Sequence, residues 1–208
     1  PLSFLNSCIV TFGNVILVLF FCSIGGYAFS VYQFPGKKVL FAILLGTMMV
    51  PWHAIMIPQF IVIQKLGLYD NHLSLILTGA FNVFGVFILR QNMLSIPDSL
   101  CEAAKIDGCG PFGIFTKIVL PLTKSGLATL IILTFNNVWN DYMGPMIYLD
   151  SDKNRTIQLG LATFKREFDT NYGAIMAGTV ISLIPIVIVY VIAQKYIVEG
   201  IAYSGVKG

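Results

Sequence analysis

Five stretches of this chain are apolar for about 20 residues each, the length a helix needs to cross a ~30 Å hydrocarbon layer. They lie at 8–32, 39–63, 73–94, 122–139 and 173–193. Inside hydrocarbon every backbone N–H and C=O must find a partner within the protein, so a spanning segment is a helix or a strand of a closed barrel. None of the five shows strand-like alternation, so all are predicted to be helices. Composition points the same way: 11% of residues are charged and 56% hydrophobic, with a mean hydropathy of +0.80, where soluble domains carry about 25% charged residues. The expected fold class is an all-α integral membrane protein with five transmembrane helices in this chain and short cytoplasmic helices between them.

Charge and cysteine usage exclude other classes. A net charge of +3 gives no electrostatic footprint for nucleic acid. Cys8, Cys22, Cys101 and Cys109 form no CxxC pair, and His53 and His72 are the only histidines, so neither a zinc site nor a disulfide framework is expected. The string "GCGPFG" at 108–113 imitates a nucleotide-binding loop. It follows a helical segment rather than a strand, and Ile114-Phe115 stands where a phosphate-binding loop needs Lys and Ser or Thr. No nucleophile–base pair is apparent, so the chain is read as a transport component and not an enzyme.

Lysine and arginine placement sets orientation. The first and third connections and the tail carry Lys37, Lys38, Arg90, Lys105, Lys117, Lys124, Lys195 and Lys207, against five basic residues in the other connections. The third connection and the C-terminus are therefore expected in the cytoplasm, with Pro1 outside. One further helix ahead of Pro1 would return the start of the chain to the cytoplasm, so residues 1–208 are read as a single transmembrane domain lacking the first of six helices. Pro51, Pro58 and Pro185 fall within spans and are expected to kink them. Gly173, Ala174, Ala177 and Gly178 offer a small-residue packing face. His53 is the only ionisable group near a span centre. Proton- and sodium-driven transporters keep such groups in their spans, so the driving force must come from elsewhere.

The third connection, "CEAAKIDGCGPFGIFTKIVLPL" at 101–122, interrupts the apolar pattern. Pro97 suits a first helical turn, and Asp98 and Glu102 lie near its positive end. Ala103 and Ala104 let another surface come close, Glu102 and Asp107 supply charge, and the glycines at 108 and 110 end the helix. A second short helix over 112–119 runs up to Pro121. From these residues alone the segment is either a docking element or a solvated loop.

Glu102-Ala103-Ala104, then Gly108, then Ile118, Leu120 and Pro121 resemble the EAA motif of ABC importer permeases. The flanking "ILRQNMLSIPDSLCEAAKIDG", "NNVWNDY" and "VEGIAYSGVKG" are similar to the maltose-type, carbohydrate branch over nearly the whole chain; Cys109 departs from the small residue usual there. The resemblance implies a permease that pairs with a second permease. An ATPase dimer, carrying the ATP and magnesium, would dock on Glu102, Ala103, Ala104, Asp107, Gly108, Ile118, Leu120 and Pro121. A solute-binding protein would deliver a sugar from outside a bacterial or archaeal plasma membrane. No cofactor or metal is expected in this chain. A permease for another solute, such as a phosphate ester, and a channel or scaffold without an ATPase remain open alternatives.

Candidates for the substrate path are polar groups within or beside spans. Asn136/Asn140 and Asn137/Asp141 are spaced i,i+4 and form two stripes; Asn82 and Trp139 add an amide and an indole. Amides pair with sugar hydroxyls and aromatic rings stack on sugar faces. The same residues could instead bond between helices, with Trp139 in an interfacial belt. The fourth connection, 149–172, is long and mixes charge with apolar groups. It is read either as a cap over helix ends or as a contact for the binding protein through Arg155, Lys165 and Arg166.

Overall fold

Proline and asparagine decide where the apolar stretches are cut. The computed structural model describes residues 1–164 and 172–205, and among these there is no strand. Leu2–Val31 (α1) and Tyr172–Gly205 (α12) are uninterrupted. At 1.5 Å per residue α1 is about 45 Å long, more than a bilayer core requires. Pro185 stays inside α12.

The other three predicted spans are broken. Lys37–Gly46 (α2) passes through a 3-10 turn, Thr47–Met49, before Trp52–Lys65 (α3) begins. Pro51 stands at the junction with φ −67° and ψ 138°. It lacks an N–H and pushes Val50 into the extended region, where φ is −79° and ψ 114°. The kink expected at Pro51 is therefore a full break, whereas Pro58 remains inside α3. The third span divides into His72–Thr78 (α4) and Val83–Leu94 (α5). After Asp98–Ile106 (α6), Pro111–Ile114 (α7) and Leu120–Leu122 (α8), the fourth resumes as Lys124–Trp139 (α9). Met143–Tyr148 (α10) and Ile157–Ala162 (α11) complete the set. Among the described residues, two helices are long and apolar enough to cross a membrane alone, and up to five spans result if each bent pair counts as one.

The chain forms two compact units. The first comprises Pro1–Leu17, Pro51–Ala80 and Ile132–Ile192; the second comprises Val18–Val50, Phe81–Ile131 and Ala193–Gly208. Helices α1, α9 and α12 each contribute to both.

Val10, Ile63, Leu75, Tyr148 and Leu149 make the core of the first unit. Polar bonds tie its loop to its helices. Asn6 donates to the carbonyls of Lys153 and Arg155 at 2.8 and 2.9 Å, and the Ile157 amide donates to Ser7 Oγ at 2.8 Å. Asp70 accepts from the amides of Asp150 and Ser151, both at 3.0 Å, while Asn154 Nδ2 donates to the Asp70 carbonyl at 2.6 Å. The small-residue face of α12 holds Leu161 of α11, whose Cδ2 occupies the space a Cβ on Gly178 would need. At Gly178 that face packs a loop helix of its own chain, while Gly173 and Ala177 are exposed.

In the second unit Val18, Cys22, Val86, Leu89 and Leu130 pack at 1% exposure or less. Helix α5 approaches α1 closely at Gly26, where a Cβ would lie 3.1 Å from the Arg90 amide. Such contacts matter in a bilayer, where association rests on close packing rather than on removing surface from water. Helix α2 buries no residue, and Val180, Ile184, Val187 and Val191 of α12 are more than half exposed. These apolar surfaces suit lipid or a neighbouring apolar subunit.

Candidate functional site

The segment 97–123, in the second unit, is an elbow built on one positive-φ glycine. Helix α6 starts after Pro97, which precedes the helix rather than entering its first turn, and Asp98 lies in that turn. Its end is a complete Schellman turn: the Gly108 amide donates to the Lys105 carbonyl at 3.1 Å and the Cys109 amide to the Ala104 carbonyl at 2.9 Å. Gly108 has φ 79°, a left-handed conformation that a Cβ disfavours. Pro111 then opens α7 at its first turn.

Beyond α7 the backbone widens into a π turn, Phe115–Val119, closed by the Leu120 amide on the Phe115 carbonyl. The regular short helix expected over 112–119 is thus one α turn followed by a π turn. The cause is Pro121, which cannot donate to Lys117 and whose ring crowds that carbonyl. Thr123, fully buried, turns its hydroxyl back to the Val119 carbonyl at 3.0 Å and marks the break before α9.

The eight motif residues divide between two jobs. Glu102, Ala103, Asp107, Gly108 and Pro121 are exposed. Ala104 is only 6% exposed and packs with Cys101, Ile114, Phe115 and Val119, against which Ile118 and Leu120 also rest. The sequence puts Ala104 on the approach surface beside Ala103; one residue of helix is a 100° turn, and that turn carries Ala104 into the core. Two large groups that charge-based reading passes over face outward instead, Ile106 at 86% and Phe112 at 77% exposure. The signal for Ile106 is the helical period itself, since Cys101 and Ala104 fix the inner face. Tyr27 of α1 anchors the elbow: its hydroxyl donates to the Pro111 carbonyl at 3.2 Å and its ring lies 4.9 Å from Phe115. Nothing in the local sequence announces Tyr27.

The polar residues around α9 separate by face. Asn137 and Asp141 line a cleft of about 430 Å³ in the first unit, with Trp52, His53, Gln59 and Tyr148. Gln59 Oε1 accepts from Trp52 Nε1 at 3.1 Å and from the Tyr148 hydroxyl at 2.9 Å. Asp141 accepts from the Gly144 amide at 3.2 Å. The hydroxyls of Thr11 and Thr156, two further lining residues, are buried without a hydrogen-bond partner among the described residues. Asn136 and Asn140 face elsewhere: Asn140 Nδ2 donates to Asn136 Oδ1 at 3.1 Å, and Gln158 donates to Asn140 Oδ1 at 3.2 Å.

Two path candidates have structural jobs. Trp139 is 1% exposed, donates to the Ser182 carbonyl at 3.0 Å, and stacks on Phe135 with Phe4 against its edge. It is a core residue, neither a belt residue nor an open stacking platform. Asn82 belongs to the second unit, is not among the cleft residues, and caps α5 by accepting from the amides of Phe84 at 2.9 Å and Gly85 at 3.3 Å.

Within the fourth connection, residues 149–157 form a cap. Leu149, Thr156 and Ile157 are buried, and the bonds from Asn6, Ser7, Asp70 and Asn154 fasten the backbone between them. Arg155 pairs with Asp152 at 2.6 Å. Lys165 and Arg166 lie outside the described residues.

The chain is 38% identical over 203 residues to the arabinooligosaccharides transport system permease protein AraQ of Halalkalibacterium halodurans, covering 98% of this chain and 73% of that one. It is 31% identical to the lactose transport system permease protein LacG of Rhizobium radiobacter, covering 98% of this chain and 75% of that one. Among solved structures it resembles a chain of a bacterial ABC transporter involved in the import of the acidic polysaccharide alginate. The TM-score is 0.83 at 32% identity, over 94% of this chain and 74% of that chain. The family described as the binding-protein-dependent transport system inner membrane component matches residues 22–203. With the apolar helices, the broken spans and the glycine elbow in place, the chain belongs to that family, the membrane-embedded permeases of ABC importers.

Proposed function

We propose that this chain is the permease subunit through which a sugar or oligosaccharide is imported at the expense of ATP hydrolysed by partner subunits. The observation that carries the coupling role is the outer face of the elbow. Glu102, Ala103, Ile106 and Phe112 present one charge, one near-bare helix surface and two large apolar groups on a scaffold fixed from behind by Ala104, Phe115 and Tyr27. An exposed Ile and Phe beside a small residue make a compact apolar anchor with room for a partner to close over it. The sugar class rests on the relatives named for arabinooligosaccharides and lactose.

Five spans follow from taking each bent pair as one crossing: α1, α2–α3, α4–α5, α7–α9 and α12. The sharing of α1, α9 and α12 by both units supports reading residues 1–208 as one permease domain. Basic residues sort by unit. The second contains eight Lys or Arg against four Asp or Glu, the first five against six. By the bias of cytoplasmic connections toward Lys and Arg, the elbow and C-terminus face the cytoplasm and the 149–172 connection faces outward.

The remaining assignments complete the cycle. Two ATPase subunits, holding ATP and magnesium, engage the elbow, and a second permease completes the pathway. Asn137 and Asp141, with the neighbouring amide, indole and hydroxyl groups of the cleft, supply this chain's polar contacts to the sugar. A solute-binding protein docks on the outer connection through the basic residues Lys165 and Arg166, while Arg155 is already engaged by Asp152.

The test is co-purification of the full complex. Ala103→Trp should abolish retention of the ATPase while leaving the permease folded, and Lys153→Cys should react with an impermeant thiol reagent only from outside. An Ala103→Trp complex that keeps its ATPase and transports normally would remove the docking assignment.

A further inference from the structure

A second cleft, of about 630 Å³, lies wholly in the second unit and shares no lining residue with the sugar cleft or with the motif residues of the elbow. Three cations line it, Lys37, Lys38 and Arg90, together with Ser30, Gln33 and Gly36. No Asp or Glu lines it, and the one ion pair among the described residues joins Arg155 to Asp152 in the other unit. The cations are held in place but not neutralised. Lys37 Nζ donates to the carbonyls of Ser30 at 3.2 Å and Tyr32 at 2.6 Å; Arg90 Nε donates to the Phe29 carbonyl at 3.0 Å while its guanidinium lies 4.4 Å over the Phe41 ring. Those bonds use two of the three Lys37 protons and one of the five guanidinium protons. Lys38 makes no side-chain bond within the described residues.

The backbone adds donors to the same cleft. Gly36, at φ 80°, precedes α2 and offers no side-chain cap. Lys38 and Val39, in the first turn of α2, have amides without an acceptor among the described residues. Three cations and two open amides around a cleft without a carboxylate describe a site for an anion with several oxygens. The wall beside it is greasy: Val39 is 64% exposed, Leu40 51% and Ile43 61%, along a helix that buries nothing. A soluble anion has no use for that wall, whereas an acyl chain does.

We propose that this cleft binds the phosphodiester of an anionic phospholipid from the cytoplasmic leaflet, its phosphate held by Lys37, Lys38 and Arg90 and its acyl chain laid along α2. The leaflet assignment rests on the orientation proposed above; the binding chemistry does not. Basic clusters at the cytoplasmic boundary gain from the negative surface potential there.

The experiment uses the intact transporter in detergent, followed by native mass spectrometry with added phosphatidylglycerol or phosphatidylcholine, and with inorganic phosphate as competitor. Phosphatidylglycerol should be retained in preference to phosphatidylcholine. Lys38→Gln, which disturbs no bond seen here, should weaken that retention about five-fold, and Lys38→Glu further. Millimolar phosphate should not displace it. Equal retention of both lipids, unchanged retention by the Lys38 variants, or displacement by phosphate would each overturn the proposal, the last in favour of a soluble anion. Thiol labelling of Lys38→Cys in membranes tests the leaflet separately. Reaction from outside only would overturn the orientation and the leaflet while leaving the lipid-binding result to stand or fall by itself.

Discussion

Replacing Gly108 by alanine isolates the contribution of backbone conformation to coupling. With φ at 79° and no atom within 4 Å of the position a Cβ would take, the substitution introduces strain and no clash. A Cβ in the left-handed region costs about 1 kcal/mol, which shifts an equilibrium between the closed turn and frayed alternatives about five-fold. The two Schellman bonds, Gly108 to Lys105 and Cys109 to Ala104, loosen together, because both need that φ. Gly67 provides the control. It has φ 70°, equally open surroundings and the same pair of bonds, to Gln64 and from Leu68 to Ile63, in the other unit. Each alanine variant should therefore lose about 1 kcal/mol of stability. Only Gly108→Ala should lower binding-protein-stimulated ATP hydrolysis in reconstituted vesicles, by up to about five-fold. Asparagine, which tolerates the left-handed region better than other side chains, should restore part of the loss at position 108. If Gly108→Ala matches the parent in both thermal unfolding and hydrolysis, or if Gly67→Ala loses coupling equally, the elbow does not work through its backbone.

Three further outcomes are expected. Ala104→Trp should prevent folding, measured as loss of monodisperse protein on gel filtration, because that side is packed on Phe115 and Val119, whereas Ala103→Trp should fold and fail only in ATPase assembly. The amides of Asp150 and Ser151 hold the Asp70 carboxyl well below its ordinary value of 3.8, so the stability contributed by the bond between the α3–α4 turn and the 149–157 cap is fully present above that pH and declines as the pH falls from it toward the depressed folded value; thermal unfolding of Asp70→Asn should be less acid-sensitive than that of the parent. Trp139→Ala should cost roughly 3–5 kcal/mol in a chemical-denaturation assay, through a cavity between Phe4 and Phe135 and the lost indole bond to Ser182, while Trp139→Phe should retain sugar selectivity, since the indole does not face the cleft.

The fourth connection shows where sequence reasoning halts. Its composition excludes both bilayer and free linker, and the structure decides for a cap over 149–157. The deciding residues, Asn6, Ser7 and Asp70, lie roughly 80 to 150 positions away in sequence. Local pattern carries no record of a hydrogen bond made across that distance. The same holds for Tyr27 behind the elbow and Ser182 beside Trp139.

What the sequence determined alone is what short-range physics dictates. Apolar runs of bilayer length require helices because unpaired amides are too costly in hydrocarbon. The glycines at 108 and 110 marked the end of a helix, and the eight-to-five sorting of basic residues assigned the connections to two sets. What only the tertiary structure decided is which side of each helix is spent on its own chain. Ala103 and Ala104 are identical in the sequence, as are Asn136 and Asn137. One helical step of 100° sends Ala104 into a core and leaves Ala103 open, and turns Asn137 toward the cleft while Asn136 meets Asn140. Those choices depend on where Phe115, Gln59 and Ser182 arrive, and that is fixed by the packing of segments that are far apart along the chain.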